Sequence, residues 1–269
     1  MTMVAGNTIP IICDPAEQDT ADLISSACEQ ALPLIQNSWG LEAPGDCRVY
    51  VMTSWLGFVF RSAPWSWRIL LGATLPLWGF RARRTWPYSA AWTQRYGRRV
   101  AIGVKPPRLL EQSDKRFGVR MFVQEKDIKT NVRLVTCHEL VHACSAHLQL
   151  PAWLNEGLAT VTADRFLGKR TILSDTLNLV RNHQPKSAPP TYRRLSRMSG
   201  EAFVYHAVRG YWLVGYLEEK SPGFLRRMFS QRWDSRTITR EIALELGVEP
   251  DNFWREIDDM VADHFEGKD

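Results

Sequence analysis

The clearest capacity for chemistry lies in Thr136-Cys137-His138-Glu139-Leu140-Val141-His142, where two histidines stand four apart and a glutamate follows the first. Side chains four apart on a helix share a face, so both imidazoles can converge on one ion. Glu139 can reach a water at that ion and take its proton without itself ligating. The same letters in a loop would not hold this geometry. Catalytic zinc usually takes three protein ligands and leaves one position open. The segment Pro151-Ala152-Trp153-Leu154-Asn155-Glu156-Gly157-Leu158-Ala159 supplies the third, with Glu156 on a second helix that a short connection can fold back.

Other site chemistries fit less well. A metzincin would need glycine at 145 and histidine at 148, and the chain has Ser145 and Leu148. His147 falls one place early and reads as an exposed residue near the helix end. His183, in a proline-rich stretch, is an alternative third ligand, a solvated ring being the simpler account. Cys137 and Cys144 flank the motif and read as small buried hydrophobes. Asn155 and Gly157 suit recognition of a peptide end or, more simply, helix capping and close packing.

With these residues in place, the sequence resembles the gluzincin metallopeptidases, the smaller members with a short spacing between HExxH and a W-L-x-E-G-x-A segment. The resemblance covers about 130–165 strongly and reaches weakly to 203–217 and Leu246–Phe265. It implies Zn2+ held by His138, His142 and Glu156, Glu139 as general base, and a peptide or protein substrate. It also implies a tyrosine or histidine that stabilises the oxyanion: Tyr205 is the first choice, with His206 and Tyr211 as rivals. The strand Arg99–Val104 resembles the family's substrate-lining edge strand, on which an extended peptide pairs. Some gluzincins carry an aspartate four residues after the third ligand. Thr160 stands there, and Asp164 is a substitute on a similar helical face.

The elements that must position these groups follow from periodicity. Residues 15–37 have a helical stripe of Ala21, Ile24, Ala27, Cys28 and Ala31. Residues 48–52, 99–104 and 119–123 read as strands. A long helix runs from Thr130 or Asn131 to about Leu148, and another from Pro151 through Phe166, closed by Gly168. Residues 182–200 form a loop, and helices fill 201–220, 222–230, 236–245 and 251–265. Strands first and helices afterwards predict an α+β fold. Residues 1–167 would form a zincin-like subdomain with a basic insertion at about 54–99, and 168–269 a helical C-terminal subdomain.

The 269 residues, 45% hydrophobic and 23% charged, exclude disorder and fibrous repeats. Five cysteines without CxxC spacing exclude a disulfide framework and a cysteine zinc cluster. The N-terminus shows neither a basic nor a long apolar signal region, so reducing cytoplasm is the expected compartment. Charge is uneven. From Cys47 to Leu110 there are ten arginines, one lysine and no acid, in a chain of net charge +5. Six of eleven tryptophans fall in 38 residues of this stretch. Its cleanest apolar run, Ile69–Phe80, contains Pro76 and falls short of the roughly 20 residues needed to span a bilayer. Trp and Arg together suit a membrane interface, an RNA strand or a protein partner. The simplest account is a hairpin packed on the catalytic domain. Peripheral membrane contact comes next and nucleic acid last.

The sequence thus predicts a zinc peptidase. A catalytically weak binding or regulatory protein on the same scaffold, or a membrane-surface adaptor built on 54–99, is the alternative.

Overall fold

The computed structural model describes residues 2–4, 9–113, 118–184, 186–191, 194, 200–231 and 233–266. It has the expected α+β organisation, a mixed sheet with helices followed by a mainly helical C-terminal part. The chain forms two compact units, Met1–Leu34 with Glu42–Lys115 and Glu125–Cys144, and Ile35–Leu41 with Arg116–Gln124 and Ser145–Asp269.

In the first unit, β1 (Thr2–Val4) pairs antiparallel with β2 (Ile11–Cys13). A short 3-10 turn then leads into α1 (Gln18–Trp39), whose Ala21, Ile24, Ala27, Ala31 and Ile35 are fully buried at helical spacing. Next come β3 (Cys47–Val51) and three helices: α2 (Trp55–Ser62), α3 (Trp65–Ala73) and α4 (Leu75–Thr85). The hairpin β4 (Ala91–Tyr96) and β5 (Arg99–Val104) completes the sheet, in the order β1-β2-β3-β5-β4. β5 pairs parallel with β3, Cys47 opposite Val100 through Val51 opposite Val104. It pairs antiparallel with β4, Ala91 opposite Val104 through Tyr96 opposite Arg99. All but the first residue of β5 are buried, as a strand covered on both sides requires. The edge strand is therefore β4, and the expectation that Arg99–Val104 forms the edge is corrected.

The basic segment is mostly helical rather than a hairpin throughout, and Leu71, Trp78, Trp86 and Trp92 pack against the buried cluster of Tyr50, Phe58 and Tyr96. It forms α2, α3, α4 and strand β4, and none of its six tryptophans is fully buried. α3 has no buried residue and α4 has only Gly79. At the junction with β4, Lys105 Nζ donates to the Trp86 carbonyl (2.7 Å) and the Ser113 hydroxyl (3.1 Å). Its ammonium lies 4.2 Å from the Trp86 ring centroid, and Trp86 meets Trp92 edge-on at 5.9 Å. Burial pushes the Lys105 pKa down to about 8.

The chain continues through α5 (Pro107–Glu111), α6 (Gly118–Met121) and α7 (Ile128–Ser145). The strand expected at 119–123 is instead α6 followed by an isolated bridge, Phe122 opposite Ile172. Val119 and Val123 are exposed, so their strand preference has no face to bury. α7 starts two residues earlier than expected. Asp127 caps it, accepting from the Lys129 and Thr130 amides and the Thr130 hydroxyl, and these bonds hold its carboxyl below the usual range.

In the second unit, α8 (Ala152–Leu167) starts after Pro151 and ends at Gly168, which takes φ 71° in the left-handed region, as expected for a helix C-terminus. Then follow α9 (Thr176–Asn182), α10 (Gly200–Lys220), α11 (Phe224–Phe229), α12 (Ser235–Glu245) and α13 (Phe253–Phe265). α10 is the central element and packs against α8, α9 and α13. The loop expected over 182–200 lies partly outside the described residues, at 185, 192–193 and 195–199. No described helix is long and apolar enough to cross a membrane.

Candidate metal centre

α7 buries Val132, Thr136, Leu140, Val141, Ala143 and Cys144 and leaves His138, Glu139 and His142 half-buried on its other face. Burial pushes the Cys137 and Cys144 thiols up to about 12, so both behave as inert packing groups, as the sequence suggests. The i, i+4 spacing brings His138 Nε2 and His142 Nε2 to 3.1 Å, with ring planes at 86°. Glu156, half-buried on α8, completes the set. One ligand atom from each of His138, His142 and Glu156 lies within 4.8 Å of the others. Among the described residues, no other group of three His, Cys, Asp or Glu side chains gathers in this way.

The donors fit a small divalent cation. Two ligands at about 2.0 Å from a tetrahedral zinc stand about 3.3 Å apart, close to the separation of the two imidazole nitrogens. Both nitrogens are the Nε2 atoms, and the carboxylate makes the mixed set that such cations accept.

Glu139 lies on the same half-buried face of α7 as the two histidines. Its Oε2 accepts a 2.5 Å hydrogen bond from Thr93 Oγ1 on β4, so the residue after the first histidine is tied to the edge strand. The sequence reading missed Thr93. A signal was present: Ala91-Trp92-Thr93-Gln94-Arg95-Tyr96 combines aromatic and β-branched residues and precedes Gly97 and a second strand.

The start of α8 around Glu156 is held by local hydrogen bonds. The Glu156 carbonyl accepts from the Thr160 hydroxyl (2.9 Å), so the residue standing where some gluzincins have aspartate serves the helix itself. Asn155 Oδ1 accepts from Ser145 Oγ (2.8 Å). A Cβ at Gly157 would lie 2.3 Å from the Gly210 carbonyl oxygen, and one at Gly210 would lie 2.2 Å from the Trp153 carbonyl oxygen. The two glycines let α8 and α10 touch backbone to backbone. Close packing therefore accounts for Gly157.

The remaining candidates fall into two clusters of the second unit. Asp164 accepts from the Thr171 amide (2.7 Å), the Thr171 hydroxyl (2.5 Å) and the Tyr211 hydroxyl (2.7 Å), and burial raises its pKa despite these donors. Asp164 and Tyr211 thus satisfy each other. Tyr205 is buried and donates to Asp258 Oδ2 (2.9 Å), while Arg209 Nε donates to Asp258 Oδ1 (2.6 Å). His183 stacks on Tyr205 at 3.6 Å. The neighbouring His206 is buried, and its Nδ1 has no hydrogen-bond partner among the described residues. Burial first, then the charge of Arg209, pushes its pKa down to about 4.

Fold and site together define an α+β protein with a His-His-Glu group able to hold a metal ion. No protein-family model matches the chain, and no curated protein matches its sequence.

Proposed function

We propose that the protein is a zinc-dependent peptidase. The observation that carries this reading is the gathering of His138, His142 and Glu156 with Glu139 between the two histidines in sequence. A zinc ion held by these three side chains would supply Lewis acidity for a carbonyl and bring the pKa of water toward ~7. Glu139 would take the proton of the attacking water and deliver it to the leaving amine nitrogen. The hydrogen bond from the Thr93 hydroxyl would hold Glu139 in one orientation for that transfer. An oxyanion donor would come from Tyr205, His206 or Tyr211 on α10, and Tyr205→Phe, His206→Gln and Tyr211→Phe separate them by kcat. The edge strand β4 would align an extended peptide by main-chain pairing. None of the five cysteines forms a disulfide, which suits a reducing compartment such as the cytoplasm.

The test is zinc content and peptide-library hydrolysis in three proteins. Wild type should bind one zinc and cleave, and a chelator should abolish cleavage. Glu156→Ala should lose the metal. Glu139→Gln should keep it and lose roughly 10²–10⁴-fold in turnover, the usual worth of acid–base catalysis. Undiminished turnover in Glu139→Gln rejects the mechanism. Zinc binding without hydrolysis in wild type favours the non-catalytic alternative, in which this scaffold binds a peptide.

A further inference from the structure

We infer that α3 and α4 form a prebuilt arm that docks on the surface of an anionic lipid bilayer. The first observation is apolar exposure. Trp65 is 74%, Ile69 62%, Leu70 52%, Leu77 85% and Phe80 76% exposed. Soluble surfaces carry such side chains singly; a group of five on two adjoining helices marks an interaction site. Spacing gathers them into stripes, Trp65 with Ile69 on α3 and Leu77 with Phe80 on α4.

The second observation is what holds the arm. Trp78 Nε1 donates to the Leu71 carbonyl (3.2 Å), and Trp78 meets Trp55 edge-on at 5.8 Å. Leu71 and Trp78 pack on the buried cluster that includes Tyr50, Phe58 and Tyr96. The inward side chains fasten the helices, so the outward ones need no folding event to present themselves.

The third observation is charge. The arginines at the base are used within the fold: Arg61 pairs with Asp14, and Arg68 donates to the Ala63 carbonyl. Arg81, Arg83 and Arg84 on α4 make no ion pair among the described residues. Arg81 and Arg84 follow Leu77 and Phe80 by four residues, continuing the apolar stripe. Apolar side chains seated beside unpaired arginines match the boundary between acyl chains and phosphate headgroups.

The same features select lipid over other occupants. A second copy would bring this cationic surface against its own like, with no acid between Cys47 and Leu110 to compensate. Nucleic acid would use the arginines and aromatic faces, but Ile69, Leu70 and Leu77 offer nothing to a base or a phosphate. Helices of nine and eleven residues lie in the interface and cannot span it.

The test is co-sedimentation of the full chain with phosphatidylcholine vesicles, with and without 30 mol% phosphatidylserine. Wild type should bind the anionic vesicles at least tenfold more tightly, and added salt should weaken binding. Leu77→Ser with Phe80→Ser should reduce partitioning at least tenfold. Arg81→Gln with Arg83→Gln and Arg84→Gln should reduce it roughly 100-fold on anionic vesicles, at about fivefold per arginine. These side chains are exposed, so melting temperature and zinc content should stay at wild-type values. That separates this inference from the peptidase reading. As an independent readout, Leu77→Cys can be labelled selectively with an environment-sensitive fluorophore because the five native thiols are buried. Its emission should shift to the blue on anionic vesicles. Failure of wild type to sediment overturns the proposal. So does an unshifted probe, or a Leu77/Phe80-dependent dimer or RNA complex formed without lipid binding.

Discussion

Replacing Gly157 by alanine tests whether the third metal ligand is positioned by contact between helices. The added Cβ would stand 2.3 Å from the Gly210 carbonyl oxygen, 2.6 Å from the Gly210 carbonyl carbon and 2.7 Å from Val214 Cγ2. Ordinary contact begins near 3.4 Å, so α8 and α10 must part by about 1 Å, and the nearest obstacles are backbone atoms that cannot rotate away. Overpacking of this kind costs typically ~1–3 kcal/mol. The better helix propensity of alanine returns at most about 1 kcal/mol. A net loss of about 1–2 kcal/mol is expected. Metal sites tolerate roughly 0.2 Å of ligand displacement, so a shift of the neighbouring Glu156 should weaken zinc binding by about 10–100-fold. Thermal melts of the apo protein and zinc titration against a competing chelator read both effects. Gly215→Ala on α10 is the control: its Cβ would meet only Phe265 Cζ at 3.7 Å, so it should be neutral or stabilising. Wild-type stability and zinc affinity in Gly157→Ala would refute the reasoning.

Other consequences can be measured directly. Asp258→Ala leaves the fully buried Arg209 without its carboxylate and Tyr205 without its acceptor, and should cost about 3–5 kcal/mol in urea unfolding; a loss under 1 kcal/mol would contradict this. The His206 pKa is depressed to about 4 in the folded protein, so protons bind the unfolded chain first. Stability should therefore fall as pH drops from about 6.5 to about 4, by up to ~3 kcal/mol. His206→Phe should flatten that limb, and an unchanged acid profile would remove His206 as its source. Thr93→Val should leave zinc content unchanged and lower kcat about tenfold through lost orientation of Glu139, with little change in KM.

Much of the site was legible because it is encoded locally. The HExxH spacing specifies one helical face, and Pro151 and Gly168 bracket the helix carrying Glu156, so His138, His142 and Glu156 could be named before their distances were known. What depended on distant partners was not legible. Thr93 reaches Glu139 across 46 positions of sequence, and Asp164 meets Tyr211 across 47. β2 is only three residues long and is defined by its neighbours rather than by its own pattern. Val119–Val123 has the composition of a strand but lacks a sheet to join, so it became a helical turn and a single bridge. The tryptophan-rich segment misled for a related reason. Tryptophan is usually buried, and here the fold leaves Trp65 largely exposed while the other rings are only partly covered.

The joint at Trp86, clamped from beneath by Lys105, makes α3 and α4 a strut rather than a tether. A slack linker would let the body of the protein tumble over whatever it rests on. A strut sets one height and one tilt. Only six residues separate Trp86 from Thr93, whose hydroxyl donates to Glu139, so a short stretch of chain links the end of α4 to the glutamate on α7. If the inferred docking of α3 and α4 on a bilayer holds, this short link would fix how far Glu139 stands from that surface.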